Sequence, residues 1–313
     1  MTERARLVAA ARDSIARGSK SFAMASRLFD RRTRERAWLL YAWCRACDDL
    51  ADGQEHGHAL AAVADPAARL AEIRAKTSAA LDGRPTGDPA FDALGVVAAE
   101  CAIPHHLAHD LIEGFALDAA GFSPRDEQAL LRYCYHVAGA VGCMMAIVMG
   151  VPADDEAVLD RACDLGLAFQ LANIARDLCE DDAGGRCYLP AEWLAEMDIP
   201  PGEAMRPMYR DRIAVLAGRL ATRAAAFEGS ARHGTPALRF RSAWAVLAAA
   251  GIYGDIAREV ARRGSRAWDA RVVTSKAAKL GWVAKAAAQA RGRGRHWPVA
   301  TPRPLAWVRP RSG

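Results

Sequence analysis

Between recurrent turn signals the chain runs in long stretches dominated by Ala, Leu, Arg and Glu, with apolar residues at three- and four-residue intervals and little strand-like alternation of β-branched residues. That spacing builds one apolar stripe per helix and no half-buried sheet face. The punctuation falls at Gly53, Gly83 to Pro89, Pro104, Gly121 to Pro124, Gly150 to Pro152, Gly184 and Gly185, Pro200 and Pro201, Gly234 to Pro236, and Gly264. Helices with one apolar stripe each must bury it against one another, so an all-α bundle is expected. The 313 residues exceed the usual single-core size, yet no repeat or low-complexity block divides them. One large helical domain over residues 1–290 is therefore expected, followed by a basic, flexible tail over residues 291–313.

Charge and cysteine usage narrow the function classes. The formal charge is +5, but six arginines and no acid lie in 291–313, so the remainder carries −1. With no basic patch in the body, nucleic-acid binding is not expected. The tail, with Trp297 and Trp307, reads as a solvated end or as a peripheral contact to anionic lipid on the inner face of a membrane. The first residues, Met1 to Ser14, mix charge with small apolar residues as an amphipathic helix does, and a cytoplasmic protein is expected. The nearly uncharged run Val137 to Ala153 falls short of the ~20 residues of a membrane span and contains Gly139 and Gly142, which makes it a buried helix. Eight cysteines occur without a secretion signal, several inside apolar helical stretches (Cys134, Cys143, Cys163), so free thiols are expected. Cys44 and Cys47 have CxxC spacing but no second pair and no βαβ context, which argues against zinc or thioredoxin chemistry. No GxGxxG or GxxxxGKS turn is present.

Two helical stretches carry chemistry. In the first, Tyr41 to Asp52, residues Tyr41, Arg45, Asp48 and Asp52 are spaced by four, three and four and share one face in apolar surroundings. Neither acid has a Lys or Arg four residues later, and close carboxylates repel unless a cation holds them. In the second, Gln170 to Asp181, the same arithmetic aligns Gln170, Asn173, Asp177 and Asp181. Oxygen donors of this kind suit Mg²⁺, which takes one or two carboxylates and completes its shell with water and substrate phosphate. Arg45 and Arg176 would then clamp phosphate, whose geometry a guanidinium matches. Two such faces point to a diphosphate–metal site above an apolar tunnel. The cluster His105, His106 and His109 follows Pro104 and reads as a surface helix start.

These residues resemble the squalene and phytoene synthases, and the resemblance covers nearly the whole chain. Gly18-Ser19-Lys20-Ser21-Phe22 is similar to the family's opening substrate loop, Tyr41 to Asp52 to its first aspartate motif, and Gln170 to Asp181 with Arg186-Cys-Tyr188-Leu-Pro190 to its second. Tyr133 to Gly142, which includes Val137 and Ala138, resembles the signature of the cavity-lining helix. Tyr253 and Arg271 to Lys276 resemble the closing segment of the bacterial phytoene-forming branch.

The resemblance implies an isoprenoid synthase fold, a helical bundle with a central cavity between two aspartate-rich helices. It implies a prenyltransferase that joins two geranylgeranyl diphosphates head to head, through cyclopropyl prephytoene diphosphate, to phytoene in carotenoid biosynthesis. On this basis Asp48, Asp52, Asp177, Asp181 and Asn173 hold Mg²⁺, with Mn²⁺ as the alternative ion. Tyr41 and Arg45 join the four acids in catalysis. Ser19, Ser21, Phe22, Tyr133, Val137, Ala138, Gln170, Arg176, Tyr188, Tyr253 and Arg271 contact substrate, the aromatics among them steadying carbocations. The small residues Ala138, Gly139, Ala140 and Gly142 are expected to leave room for a C20 chain. This sequence departs from the family in the loop Asp182-Ala-Gly-Gly, where Arg186 stands as the sole base. Dehydrosqualene and squalene synthases acting on farnesyl diphosphate, and non-catalytic assembly factors of the same fold, are the alternatives; an assembly factor is expected to have lost acids that this chain keeps. Oligomeric state is left open.

Overall fold

The computed structural model describes residues 2–52, 65–298, 300–303 and 307–311, with the side chains of Lys20, Ser21 and Asp52 outside the described set. Among these residues there are helices and turns and no strand. In chain order the helices are α1 (Glu3–Gly18), α2 (Lys20–Ser26), α3 (Arg31–Asp52), α4 (Pro66–Leu81), α5 (Pro89–Cys101), α6 (His105–Ala119), α7 (Glu127–Cys134), α8 (Ala140–Val148), α9 (Glu156–Ala183), α10 (Ala191–Glu196), α11 (Arg210–Arg232), α12 (Phe240–Arg263) and α13 (Lys276–His296).

Local chemistry sets these boundaries. Asp65 and Asp88 cap α4 and α5 through their carboxylates, each followed by a proline in the first turn, where its missing N–H costs nothing. Side-chain oxygens of Asp126, Asp155 and Ser275 likewise accept from first-turn amides and cap α7, α9 and α13. Pro104 precedes α6, so the three histidines do begin a helix, as the sequence suggests.

The bundle is organised around α9. Its buried residues point in several directions, Leu159, Leu167, Ala168 and Ala172 among them, as expected of a helix with neighbours on most sides. It packs against α8, α11 and α12, while α1, α3 and α5 form a second cluster. Between α7 and α8 the helix passes through a π-helical turn, Tyr135–Gly139, an insertion that re-aims side chains and recurs at functional sites. The 22 residues Glu127–Val148 are long and apolar enough to cross a membrane by length and composition, yet 61% of an 18-residue apolar window within them is buried in the bundle. The glycines here serve helix approach. A Cβ on Gly142 would sit 2.4 Å from the carbonyl oxygen of Ala162, and one on Gly166 2.4 Å from that of Ala138. The expectation that all four small residues make room for substrate is corrected accordingly: Ala138 and Gly142 border the cavity, whereas Gly139 and Ala140 seat the helix against its neighbours.

The segment expected as a flexible tail is packed on the body where it is described. Helix α13 continues through residue 291 to His296, and beyond it Trp307 and Arg309 are buried, with 7% and 4% exposure. Arg309 pairs with Asp160 and Glu156, and Arg303 with Asp164. These three acids recur every four residues along α9 and so form a ladder on one helix face. Net charge hides this ladder, because acids and arginines lie far apart in sequence. All eight cysteines are free thiols, as expected.

Candidate active site

A cavity of about 660 Å³ opens between α2, α3, α6, the α7–α8 helix, α9 and α12. Of the residues singled out from sequence, Ser19, Phe22, Tyr41, Arg45 and Asp48 border it from the N-terminal helices. Tyr133, Val137 and Ala138 border it from the π-containing helix, and Gln170, Asn173, Asp177 and Asp181 from α9. Tyr188 and Tyr253 complete the set. Arg176 and Arg271 stand behind the wall, bonded to the acids. The side chains of Ser21 and Asp52 lie outside the described residues.

On the α3 side, Arg45 pairs with Asp48 and, at 3.0 Å, with Asp49. The partner that Asp48 lacks four residues downstream is therefore supplied one turn upstream. Ser19 caps α2, its hydroxyl accepting from the Phe22 amide at 3.2 Å, which fixes the loop beside Tyr41. Gly18 leaves room there for the Tyr41 hydroxyl, which a Cβ would meet at 2.4 Å and displace. Phe22 and Tyr41 pack with ring centroids 5.6 Å apart.

On the α9 side, Arg176 grips Asp177 with two bonds of 2.7 and 2.5 Å. Arg271, arriving from the segment after α12, reaches Asp177 at 2.8 Å and Glu180 at 3.0 Å. Among the described residues Asp181 has no such clamp of its own. Burial, and then the neighbouring charge of Asp177, push its carboxyl up to about 7, only partly opposed by Arg186. Arg186 borders the cavity too, its amide donating at 2.8 Å to the Asp181 carbonyl after a left-handed turn at Gly185. Among the described residues no three acids, histidines or thiols converge into a self-sufficient metal cage. An all-oxygen set shared between two helices fits a hard divalent cation that takes the rest of its shell from substrate phosphate.

The middle of the cavity is aromatic. Tyr133 stacks on Tyr188 at 4.8 Å and on Phe122 at 5.4 Å, and Tyr253 stacks on Phe169 at 4.2 Å. Both tyrosine hydroxyls of the first stack donate to Asp118, at 3.1 Å from Tyr133 and 2.8 Å from Tyr188. Burial raises the pKa of both, so they remain neutral donors. Asp118, Phe169 and Arg186 border the cavity but escape the motif reading as site residues. Asp118 lies near the end of α6 with Gly114, Phe115, Gly121 and Phe122 at the helical spacings around it, and an acid among such neighbours is the signal that could have marked it.

Comparison with known proteins agrees with this geometry. Residues 15–278 match the squalene/phytoene synthase family. A phytoene synthase of Pseudescherichia vulneris is 46% identical over 303 residues, covering 96% of this chain and 97% of that protein. A 15-cis-phytoene synthase of Pantoea ananas is 45% identical over 282 residues, 89% of this chain and 90% of its own. Among solved structures, a dehydrosqualene synthase in complex with ligand superposes with a TM-score of 0.82 at 26% identity, covering 93% of this chain and 98% of that one. The chain belongs to the squalene/phytoene synthase family.

Proposed function

We propose that this protein is a phytoene synthase, a prenyltransferase that condenses two geranylgeranyl diphosphates head to head. The observation that carries this reading is the near-full-length identity of 45–46% to relatives named phytoene synthase, together with a long cavity that is acidic at one end and largely apolar beyond. The family depends on a divalent metal. The all-oxygen donors favour Mg²⁺, which would be held by Asp48, Asp177 and Asp181 with Asn173, and by Asp52 on the sequence pattern. When bound, it supplies Lewis-acid charge that stabilises the leaving diphosphate.

In this reading the C1–O bond of one allylic substrate breaks, and Arg45, Arg176 and Arg271 exchange carboxylate partners for the departing diphosphate. The cation is captured by the double bond of the second substrate, and loss of a proton closes the cyclopropane of prephytoene diphosphate. A second ionisation, ring opening with rearrangement, and a further proton loss give phytoene. Phe22, Tyr41, Tyr133 and Tyr253 present ring faces to the cations. The apolar lining keeps out water that would quench them. Gln170 and Ser19 orient the diphosphate ends.

The test is to incubate purified protein with C15 and C20 diphosphates, with and without NADPH, and to identify the hydrocarbons. Phytoene from the C20 substrate without NADPH is expected. A C30 hydrocarbon as the main product would transfer the reading to dehydrosqualene or squalene formation.

A further inference from the structure

The cavity wall built by α7, the π-helical turn and α8 has a spacing that an ordinary helix does not hold in line. Tyr133, Val137, Val141, Met145 and Met149 all border the cavity, each four residues after the last. At roughly 3.6 residues per turn each such step drifts by about 40°, or about 160° from Tyr133 to Met149, which would carry one end of the row out of the cavity. The turn Tyr135–Gly139 takes this up. Its closing bond runs from the Ala140 amide to the Tyr135 carbonyl, five residues back instead of four. One extra residue in a turn returns about 100° of the drift, and the remaining ~60° fits a single wall. The π-turn is therefore what brings the Tyr133 ring into line with the apolar residues beyond it.

Such turns are rare, and this one is held from two sides. From α6, Asp110 takes both residues that open it: its carboxylate accepts from the Tyr135 hydroxyl at 2.5 Å, and its backbone carbonyl accepts from His136 Nδ1 at 2.8 Å. Tyr135 is fully buried, and that burial raises its pKa, so the hydroxyl stays a neutral donor. One turn on along α6, Gly114 lets the helix lie against the π-turn, because a Cβ there would sit 2.7 Å from Val137 Cγ1 and 3.2 Å from its backbone nitrogen. From α9, Gly166 faces the Ala138 carbonyl at equally close range. Asp110, Tyr135 and His136 are not among the described residues that border the cavity.

We propose that Asp110 is a positioning residue of the reaction: with the Tyr135 hydroxyl and the His136 ring it clasps the π-turn and so aims the Tyr133 ring at the reacting carbocation. The proposal rests on the phytoene synthase reading, in which Tyr133 faces a cation. Asp110 acts on geometry and touches no substrate. With the clasp open, the turn relaxes toward ordinary helical bonding and the ring leaves its place. Water then captures a larger share of the cation, and more cyclopropyl intermediate escapes before its second ionisation.

The experiment uses full-length enzyme carrying Tyr135→Phe, Asp110→Leu or Asp110→Asn, the first two also on a Tyr133→Ala background. It reads kcat, KM, melting temperature and the share of turnover diverted to prenyl alcohol or to prephytoene diphosphate. Tyr135→Phe and Asp110→Leu are expected to lower kcat about tenfold with KM within about twofold, and to raise the diverted share about threefold or more. Asp110→Asn, whose amide oxygen still accepts from the Tyr135 hydroxyl, is expected to restore most of both. On the Tyr133→Ala background, opening the clasp should cost little more, since the ring it aims is gone. A merely structural contact would lower the melting temperature and leave the product partition as in wild type. That result in Tyr135→Phe, the mildest change, overturns the proposal, as do losses that simply multiply on the Tyr133→Ala background. If Asp110→Leu fails to fold, Tyr135→Phe decides alone. Failure of the phytoene synthase reading shows in the wild-type enzyme, as a main product other than phytoene, whereas the clasp is judged on the change between wild type and variants.

Discussion

The two acidic faces of the cavity are built differently. On α3 the Asp48 side chain is 41% exposed, and its partner Arg45 comes from the same helix. On α9 the Asp177 side chain is 18% exposed, and it is held both by Arg176 beside it and by Arg271 from the far end of the chain. The α3 face is thus a local helical device in contact with water, whereas the α9 face is desolvated and assembled by tertiary structure. The same carboxylate should be worth more where the effective dielectric is lower and the partners are fixed. Arg271 also ties the closing segment to the acidic face of α9, so a substitution at Asp177 disturbs two elements at once.

The largest effect is therefore expected at Asp177. Asp177→Asn should lower kcat by roughly 10³-fold or more and cost about 2 kcal/mol of stability, because Arg176 and Arg271 lose their shared anion. Asp48→Asn and Asp52→Asn should each lower kcat by roughly 10²-fold with folding intact. Steady-state kinetics at saturating Mg²⁺ with parallel thermal melts would check the order, and a larger loss at Asp48 would break the comparison.

Asp118 sharpens it from a third wall. Asp118→Asn leaves the two tyrosine hydroxyls with a weaker acceptor, so kcat should fall roughly tenfold and stability by about 1 kcal/mol. Tyr133→Phe combined with Asp118→Asn should add little further loss if the two act as a unit. Additive losses in the double-mutant cycle would separate them.

The smallest effect is one of stability and runs the other way. Asp181 in the fold is pushed up to about 7 from its ordinary 3.8, by burial and then by Asp177. A raised carboxylate pKa means the folded protein holds a proton that the unfolded chain releases, so this contribution to stability is present at low pH and is lost as pH rises from about 4 to about 7. In metal-free protein Asp181→Asn should therefore raise the melting temperature at pH 8 by roughly 2–5 °C and leave it nearly unchanged at pH 4. Its catalytic activity should fall. A destabilised Asp181→Asn protein at pH 8 would show that the carboxylate is not strained there.

The bundle and both acidic faces were legible in the sequence because each is written at helical spacing within one segment. Tyr41, Arg45 and Asp48 share a face by arithmetic alone, as do Gln170, Asn173, Asp177 and Asp181. Asp118 was not legible, since its partners Tyr133 and Tyr188 lie on other elements and no periodicity links them. The docking of Arg303 and Arg309 was hidden for the same reason, although the ladder Glu156, Asp160 and Asp164 stood in the sequence. The small residues around Gly139 illustrate a third limit, because room for a ligand and room for a neighbouring helix ask for the same side chains.

The two unlike acidic faces are expected to hold one metal–diphosphate site between them. Calorimetric titration of a non-ionisable thiolodiphosphate analogue of the C20 substrate, with and without Mg²⁺, tests it on wild type, Asp48→Asn and Asp177→Asn. The expected result is that Mg²⁺ tightens binding to wild type by about tenfold or more and that either substitution removes most of this gain. Full Mg²⁺-dependent tightening in one of the two variants would contradict the claim and confine the site to the other face.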